Sequence, residues 1–386
     1  MAGALDGIVV ADFSRVLAGP YTTMLMADLG AEVVKIERPG TGDDTRSWGP
    51  PHLEVPGPDG PEQMATYFAS VNRNKRSVAL DLSTDDGRDA AFEIVRGADV
   101  VIENFRAGTM ERLGLGYDDL VAVKPDLIYC AITGFGRDAG ASIPGYDLLI
   151  QAMSGLMSIT GEPGGPPVKV GVAVVDVLTG AHAMAGILAA LRHRDRTGEG
   201  QRVDLDLLSV ALATMSNQTT AYLAADVVPT AMGSRHPSIV PYEVLPTADR
   251  PLAVAVGNDV QFRRFVETIG AADLADDARF VTNSDRVAHH DALIEAVAPA
   301  LARHGADHWF DALTGAGVPA GPINDMAEAF DFARSVGIDP TARIGDVAQP
   351  TVRNPIGLSA TPATYRMPPP VLGSSDAAAG SDRSSP

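Results

Sequence analysis

Between residues 7 and 132, short β-branched runs alternate with stretches of helical pattern, and nothing else in the chain restricts its fold as strongly. Residues 7–13 (GIVVADF), 32–37 (EVVKIE), 77–82 (SVALDL), 99–102 and 127–132 read as strands. Residues 20–29 and 88–97 read as helices between them, the second announced by Ser83-Thr84-Asp85, a helix-capping string. Strands alternating with helices predict an α/β fold, with a mostly parallel sheet covered on both faces. The pattern continues with a helix over 176–194, a strand at 201–205 and a helix over 207–224. Beyond Ala225 it changes to a loop at 229–241, strands at 242–245 and 252–256, and helices at 259–269, 291–303 and 306–313. That predicts a second, smaller α+β domain, and 386 residues suffice for two cores.

Charge and composition exclude several classes. The formal charge is −19, and lysine occurs only at Lys35, Lys75, Lys124 and Lys169. A nucleic-acid partner, which needs a basic face, is not expected. No unbroken apolar run reaches the length of a membrane span, so no membrane partner is expected. The opening Met1-Ala2-Gly3-Ala4-Leu5-Asp6 lacks the basic region and apolar core of a secretion signal, and Cys130 is the sole cysteine. Together these predict a cytoplasmic location and no intrachain disulfide.

The common nucleotide and hydrolase motifs are missing. In Gly134-Phe135-Gly136-Arg137-Asp138-Ala139-Gly140 the last glycine falls one position late for a dinucleotide fingerprint. The chain has no P-loop, no H-E-x-x-H and no G-x-S-x-G, and one cysteine cannot build a Cys/His zinc cluster.

Three clusters remain. Lys35-Ile36-Glu37-Arg38-Pro39-Gly40 places two cations at a strand end before a glycine turn, where open parallel sheets bind ligands. Asn72-Arg73-Asn74-Lys75-Arg76 concentrates three cations in a chain short of them. Both strings are either a grip for a phosphorylated nucleotide or a solvated surface run. The third cluster, GVAVVDVLTGAHAMAGILAAL from Gly171 to Leu191, sets Asp176 in apolar surroundings where a helix begins. Taken locally, that aspartate reads first as a helix N-cap and second as a reactive carboxylate. Gly180 and Gly186 allow a backbone or a ligand to approach closely.

The ordered set of motifs resembles the family III coenzyme A transferases, also called the CaiB/BaiF family. Its elements are Leu17-Ala18-Gly19-Pro20, Leu29-Gly30-Ala31-Glu32-Val33, Lys35–Gly40 and Asn72–Ser77, then Glu103-Asn104-Phe105-Arg106-Ala107-Gly108, Ile132–Gly136 and Pro144-Gly145-Tyr146-Asp147. The Asp176 segment, Thr197-Gly198-Glu199-Gly200-Gln201, Gly317-Val318-Pro319 and Gly321-Pro322 complete it. The resemblance implies a large Rossmann-like domain over 1–205 completed by about 340–370, a linker helix at 206–228 and a small α+β domain at 229–335. It also implies an interlocked homodimer. Residues 374–386 are expected to be a disordered tail.

The same resemblance implies coenzyme A, as an acyl-CoA, and a small carboxylic acid as substrates, with no metal. It makes Asp176 the carboxylate that forms an acyl anhydride and then an aspartyl–CoA thioester. CoA contacts are implied at Val16, Arg38, Asn72, Arg73, Lys75, Asn104, Phe105 and Arg106, with Lys169 as a further candidate. Tyr146 matches a position near the reacting centre.

Two departures narrow the reading. The racemases of this family carry histidine in a Gly-His-Asp string where this chain has Gly145-Tyr146-Asp147, and tyrosine is a poor neutral-pH base. The oxalate-using transferases have glutamine where this chain has Leu17, and a glycine-rich loop where it reads AMGSRHPSIVPY over 231–242. That string is more similar to branches handling succinyl-CoA and other dicarboxylic acids. Arg235 and His236 then either pair with a distal carboxylate or shape the loop. An α-methylacyl-CoA racemase and a non-catalytic CoA-binding protein are the alternatives.

Overall fold

Six of the β-branched runs meet edge to edge. The computed structural model describes residues 3–57, 60–345 and 349–375. Up to residue 206 the strands are β1 (Val9–Asp12), β2 (Glu32–Glu37), β3 (His52–Gly57), β4 (Gly60–Ala65), β5 (Lys75–Ala79), β6 (Val100–Glu103), β7 (Ile128–Thr133) and β8 (Gln201–Asp206). The helices up to residue 225 are α1 (Ala18–Asp28), α2 (Thr66–Ala69), α3 (Asp85–Gly97), α4 (Thr109–Arg112), α5 (Tyr117–Val121), α6 (Asp147–Met153), α7 (Val174–Thr197), α8 (Leu207–Thr214) and α9 (Asn217–Ala225).

A six-stranded sheet runs in the order β5-β2-β1-β6-β7-β8, and every neighbouring pair is parallel. Alternate residues of each strand feed opposite layers. Val10, Val33, Val100, Ile128 and Cys130 pack with Leu25 and Met26 of α1 and Met184 and Ile187 of α7. Ala11, Val34, Val78, Val101 and Tyr129 pack on the other face with Ile94 and Val95 of α3. Burial on both faces explains why these strands read as continuous apolar runs.

The contacts divide the chain into two units. The first comprises Met1–Leu156, Lys169–Val227 and Asp339–Pro386, and the second Met157–Val168 and Val228–Ile338. The segment read as a linker helix, 206–228, thus belongs almost wholly to the first unit, and 157–168 leaves it for the second. The single helix read over 207–224 is two helices, because Ser216 takes φ +44° and breaks the run. The β3–β4 hairpin had no strand signal, since Pro56, Gly57 and Pro61 replace the β-branched pattern there. Of the tail expected from 374, Ser375 N–H donates to Ser77 O at 3.0 Å, and the residues after it lie outside those described.

Asp28 anchors the returning C-terminal segment. Fully buried, it pairs with Arg73 (Nη2–Oδ2 2.6 Å) and accepts from Asn74 Nδ2 at 2.8 Å and Asn354 Nδ2 at 3.1 Å.

By length and composition α7 is apolar enough to cross a bilayer, although no unbroken apolar run occurs. Here 44% of its most apolar window is buried. Its close approach to α1 is set by Gly180, where a Cβ would lie 2.7 Å from Ala18 O. Gly186 likewise meets the Val203 side chain, so both glycines serve backbone and side-chain packing.

The second unit holds an antiparallel sheet β11-β10-β9, formed by β9 (Tyr242–Leu245), β10 (Leu252–Ala255) and β11 (Ala320–Pro322). Its core centres on Phe262, Phe265, Leu293, Val297 and Trp309.

Candidate active site

The order of the parallel sheet reverses between β1 and β6, so the loops leaving their C-terminal ends diverge and leave a crevice. Those loops are residues 13–17 and 104–108. They are stitched together by Arg15 N–H donating to Asn104 Oδ1 (2.8 Å) and Asn104 Nδ2 donating to Arg15 O (2.7 Å). Val16 sits at φ +67°, a conformation that costs a β-branched residue about 1–3 kcal/mol. Its N–H is held by Asp43 Oδ1 at 3.2 Å. Asp43 in turn pairs with buried Lys35 (Nζ–Oδ2 3.0 Å), which also donates to Ser14 O at 2.8 Å. Burial opposes the Lys35 charge, but Asp43, Asp12 and Glu37 together hold its pKa above the usual value.

Two cavities open along this crevice. The first, about 200 Å³, is lined by Val16, Leu17, Asn104, Arg106, Gly134, Tyr146 and Asp176, among others. The second, about 210 Å³, is lined by Lys35, Arg38, Leu80, Asp81, Leu82 and Ser83. Arg15, Asp44 and Phe105 border both, so the two form one extended slot. The Arg15 guanidinium stands over the Phe105 ring at 5.1 Å and reaches Asp44 at 3.3 Å.

Asp176 lies in the first turn of α7, whose N-cap is Ala173 with no side-chain capping bond. It is therefore not the capping aspartate that local sequence favoured. Asp147 does that work from α6: its Oδ1 accepts from Val175 N–H at 2.8 Å and from Asp176 N–H at 3.2 Å. Burial first, and the Asp147 charge second, push the Asp176 carboxyl up to about 7. A half-ionised, poorly solvated carboxylate facing a cavity is a group suited to attack an acyl carbon. Close by, Gly134 and Gly145 touch backbone to backbone: a Cβ on Gly145 would fall 2.5 Å from Gly134 Cα. That contact fixes the approach of Tyr146 and Asp147 to the first turn of α7.

The structure brings Val16, Leu17, Asn104, Phe105, Arg106, Tyr146 and Asp176 to one cavity and Arg38 to its neighbour. Asn72, Arg73 and Lys75, read as CoA contacts, line neither cavity and are buried, so they are not the solvated surface run that was the other reading of their string. Lys75 Nζ pairs with Asp12 Oδ2 at 3.2 Å and donates to Asn72 Oδ1 at 3.0 Å and Pro20 O at 2.9 Å. Burial pushes its ammonium down to about 8 against the pull of Asp12. Asn72 Nδ2 donates to Phe68 O, and Arg73 is committed to Asp28. Lys169 is exposed and turns to its neighbours' carbonyls, Val170 O and Gly171 O. Arg235 and His236 belong to the second unit. There Arg235 Nη1 lies 3.1 Å from His290 Nδ1, and His236 Nδ1 accepts from Ser238 N–H at 3.0 Å.

Sequence reasoning passed over Arg15, Trp48, Tyr67 and 80–83. Trp48 and Tyr67 meet edge to face at 5.1 Å. Burial, then the charges of Asp176 and Asp147, push the Tyr67 phenol pKa upward, which places Tyr67 within electrostatic reach of the Asp176 carboxyl. Arg15 had one usable signal, its place just past the strand-like run 7–13, where ligands bind, whereas 80–82 were read as part of a strand and β5 in fact ends at Ala79.

Residues 5–376 match the model of CoA-transferase family III, and the chain belongs to that family. It is 46% identical over 374 residues to the succinate–glutarate CoA-transferase of Agrobacterium fabrum, covering 96% of this chain and 93% of that one. It is 40% identical to the acetyl-CoA:oxalate CoA-transferase of Acetobacter aceti, over 92% of this chain and 90% of that one. A CaiB/BaiF family protein from Brucella suis superposes with TM-score 0.86 at 41% identity, covering 97% of both chains. The protein is thus an enzyme that transfers CoA between an acyl-CoA and a carboxylic acid.

Proposed function

We propose that Asp176 carries the acyl group in an exchange between dicarboxylic acids, with succinyl-CoA or another dicarboxylyl-CoA as donor. The observation behind this reading is the placement of Asp176. It is a carboxylate raised to about 7, without a side-chain hydrogen bond among the described residues, at the cavity where the slot ends. Its oxygen attacks the thioester carbonyl, the C–S bond breaks, and CoA thiolate leaves with an acyl–aspartyl anhydride behind it. The thiolate then attacks the aspartyl carbon, releasing the donor acid and leaving an aspartyl–CoA thioester. The acceptor carboxylate reverses both steps. Each stage keeps the acyl group activated, so no single hard exchange is needed. N–H groups at the start of α1, which lines the cavity through Leu17 and Ala18, are suited to hold the oxyanion. The apolar wall of Leu17, Tyr21, Tyr67, Ala173 and Val177 helps exclude water from both intermediates.

The CoA nucleotide is assigned to the second cavity, with Arg38 for its phosphates and 80–83 beside its base, while Arg15 borders both cavities and Arg106 lines the first. Similarity to a succinate–glutarate enzyme supports the diacid reading. Among the described residues no histidine lines the first cavity, which favours transfer over racemisation. Asp176→Ala should fold yet lose exchange between succinyl-CoA and glutarate; near-normal exchange removes the nucleophile reading. Deuterium uptake at the α-carbon of a 2-methylacyl-CoA would instead restore the racemase.

We also infer that a second copy covers the exposed faces of α7 and α9. Helix α9 buries none of its nine residues, and Leu223 is 81% exposed, so it lacks the packing that stabilises short helices. Light scattering should give a dimer, and a stable monomer would refute this.

A further inference from the structure

Two aspartates meet at the start of α7, and only one has its oxygens free to react. Asp147 is buried, and both its oxygens are occupied. Oδ1 takes the N–H groups of Val175 and Asp176, and Oδ2 takes Gln151 Nε2 at 2.5 Å. Gln151 is fully buried and passes the restraint on, its Oε1 accepting from Val170 N–H at 2.9 Å. The pair on α6 therefore grips the 170–176 segment at both ends. A first-turn carboxylate ordinarily draws stabilisation from the N–H groups and dipole of its helix. At α7 two of those N–H groups are already spent on Asp147.

We propose that Asp147 is the positioning residue of the acyl-carrying Asp176. It clamps the first turn of α7, takes up the N–H groups that would quench the neighbouring carboxylate, and by its own charge keeps that carboxylate basic and nucleophilic. This rests on the reading of Asp176 as nucleophile. The elevated Asp176 carboxyl fits it, burial and the Asp147 charge being its two causes. The other charged or titratable groups at the cavity are Arg15, Asp44, Arg106 and Tyr146, with Tyr67 in reach. Glutamine at 151 also has a reason here: it neither adds charge nor leaves Asp147 Oδ2 or Val170 N–H unpaired.

The test compares Asp147→Asn, Asp147→Asn/Gln151→Glu and wild type. The single variant keeps an acceptor for Val175 and Asp176 but turns an amide toward the Gln151 amide. The double variant restores the pairs from 147 to 151 and from Val170 N–H to 151, losing only the long Gln151 Nε2–Val172 O contact (3.5 Å), and moves the charge one side chain further from Asp176. The acid limb of kcat/KM for succinyl-CoA exchange should lie near pH 7 in wild type. It should fall by about one unit or more in Asp147→Asn, with a loss of about tenfold in the plateau rate. The double variant should recover melting temperature while its limb stays below that of wild type. A wild-type limb in a folded Asp147→Asn enzyme overturns the proposal, because a merely structural residue would change amplitude and stability alone. If the single variant does not fold, the double variant carries the same measurement; loss of fold in both assigns Asp147 to the fold alone and also overturns it. The nucleophile reading is checked separately by intact mass and peptide mapping of wild type after succinyl-CoA. No adduct on the Asp176 peptide sinks that reading, whereas an adduct with an unmoved limb sinks only the role of Asp147.

Discussion

Asp176→Asn should make the protein more stable in mild alkali while ending catalysis. The carboxyl titrates at about 7 in the folded chain against 3.8 for an unperturbed aspartate. The folded state therefore holds the proton more tightly, and stability falls as pH rises from about 4 through 7. The shift is roughly three units, a ceiling of ~4 kcal/mol against the ionised folded form above pH 7. At pH 5 only ~1.6 kcal/mol of that penalty has developed. Asparagine removes it at every pH, so the stability gap between variant and wild type should widen by about 2–3 kcal/mol from pH 5 to pH 8. Urea midpoints of both proteins in one mixed buffer at the two pH values give the comparison, since groups unaffected by the substitution cancel. A gap that stays constant within about 0.5 kcal/mol would show that Asp176 titrates as an ordinary exposed aspartate. The idea of a basic, strained nucleophile would then fail.

Gly145→Ala pushes a Cβ to 2.5 Å from Gly134 Cα, backbone against backbone. It should cost about 1–3 kcal/mol and, by displacing Tyr146 and Asp147, lower kcat more than it raises KM; unchanged kcat in a folded variant would contradict this. Lys75→Met leaves Asp12 buried without its cation and should cost about 3–5 kcal/mol by urea titration. Pairing it with Asp12→Asn should recover part of the loss, and no recovery would show the pair is not coupled. Arg38→Ala, exposed and lining the second cavity, should raise KM for acyl-CoA with little change in kcat or melting temperature. An unaltered KM would remove Arg38 from the CoA site.

The middle of the sheet was legible because β2, β1, β6 and β7 are buried on both faces and so spell largely apolar, β-branched runs, whereas the edge strand β8 (QRVDLD) is only half-buried. Val33-Val34 and Val100-Val101-Ile102 carry that signal without help from their partners. The hairpin of β3 and β4 carried none, since its Pro and Gly residues suit a strand pair only once the rest of the chain frames it. Asp176 was legible as unusual, an acid inside an apolar helix start, but its role was not. The decisive facts are contacts with Asp147, 29 residues earlier, and no local spacing rule reports them. The strand-end loops were legible in part: Arg38 was read from its glycine turn, whereas Arg15 stands in an unremarkable string and matters only because β1 lies at the reversal of the sheet.

The burial of Lys75 bears on how this acidic chain could hold an anionic substrate. Scarce cations invite assignment to phosphate, yet Lys35 and Lys75, two of the four lysines, are consumed inside the fold. They neutralise Asp12 and Asp43 and tie down the loop 13–17 that carries the strained Val16. Their charges thus serve the shape of the cavity. What remains along the slot is arginine: Arg15, Arg38 and Arg106. Guanidinium forks bind phosphate oxygens in pairs and stack on rings, as Arg15 already does on Phe105. A chain with formal charge −19 gains little from long-range attraction of an anion. Short-range, directional arginine contacts are the means left to it, which is why replacing Arg38 with lysine would not be conservative.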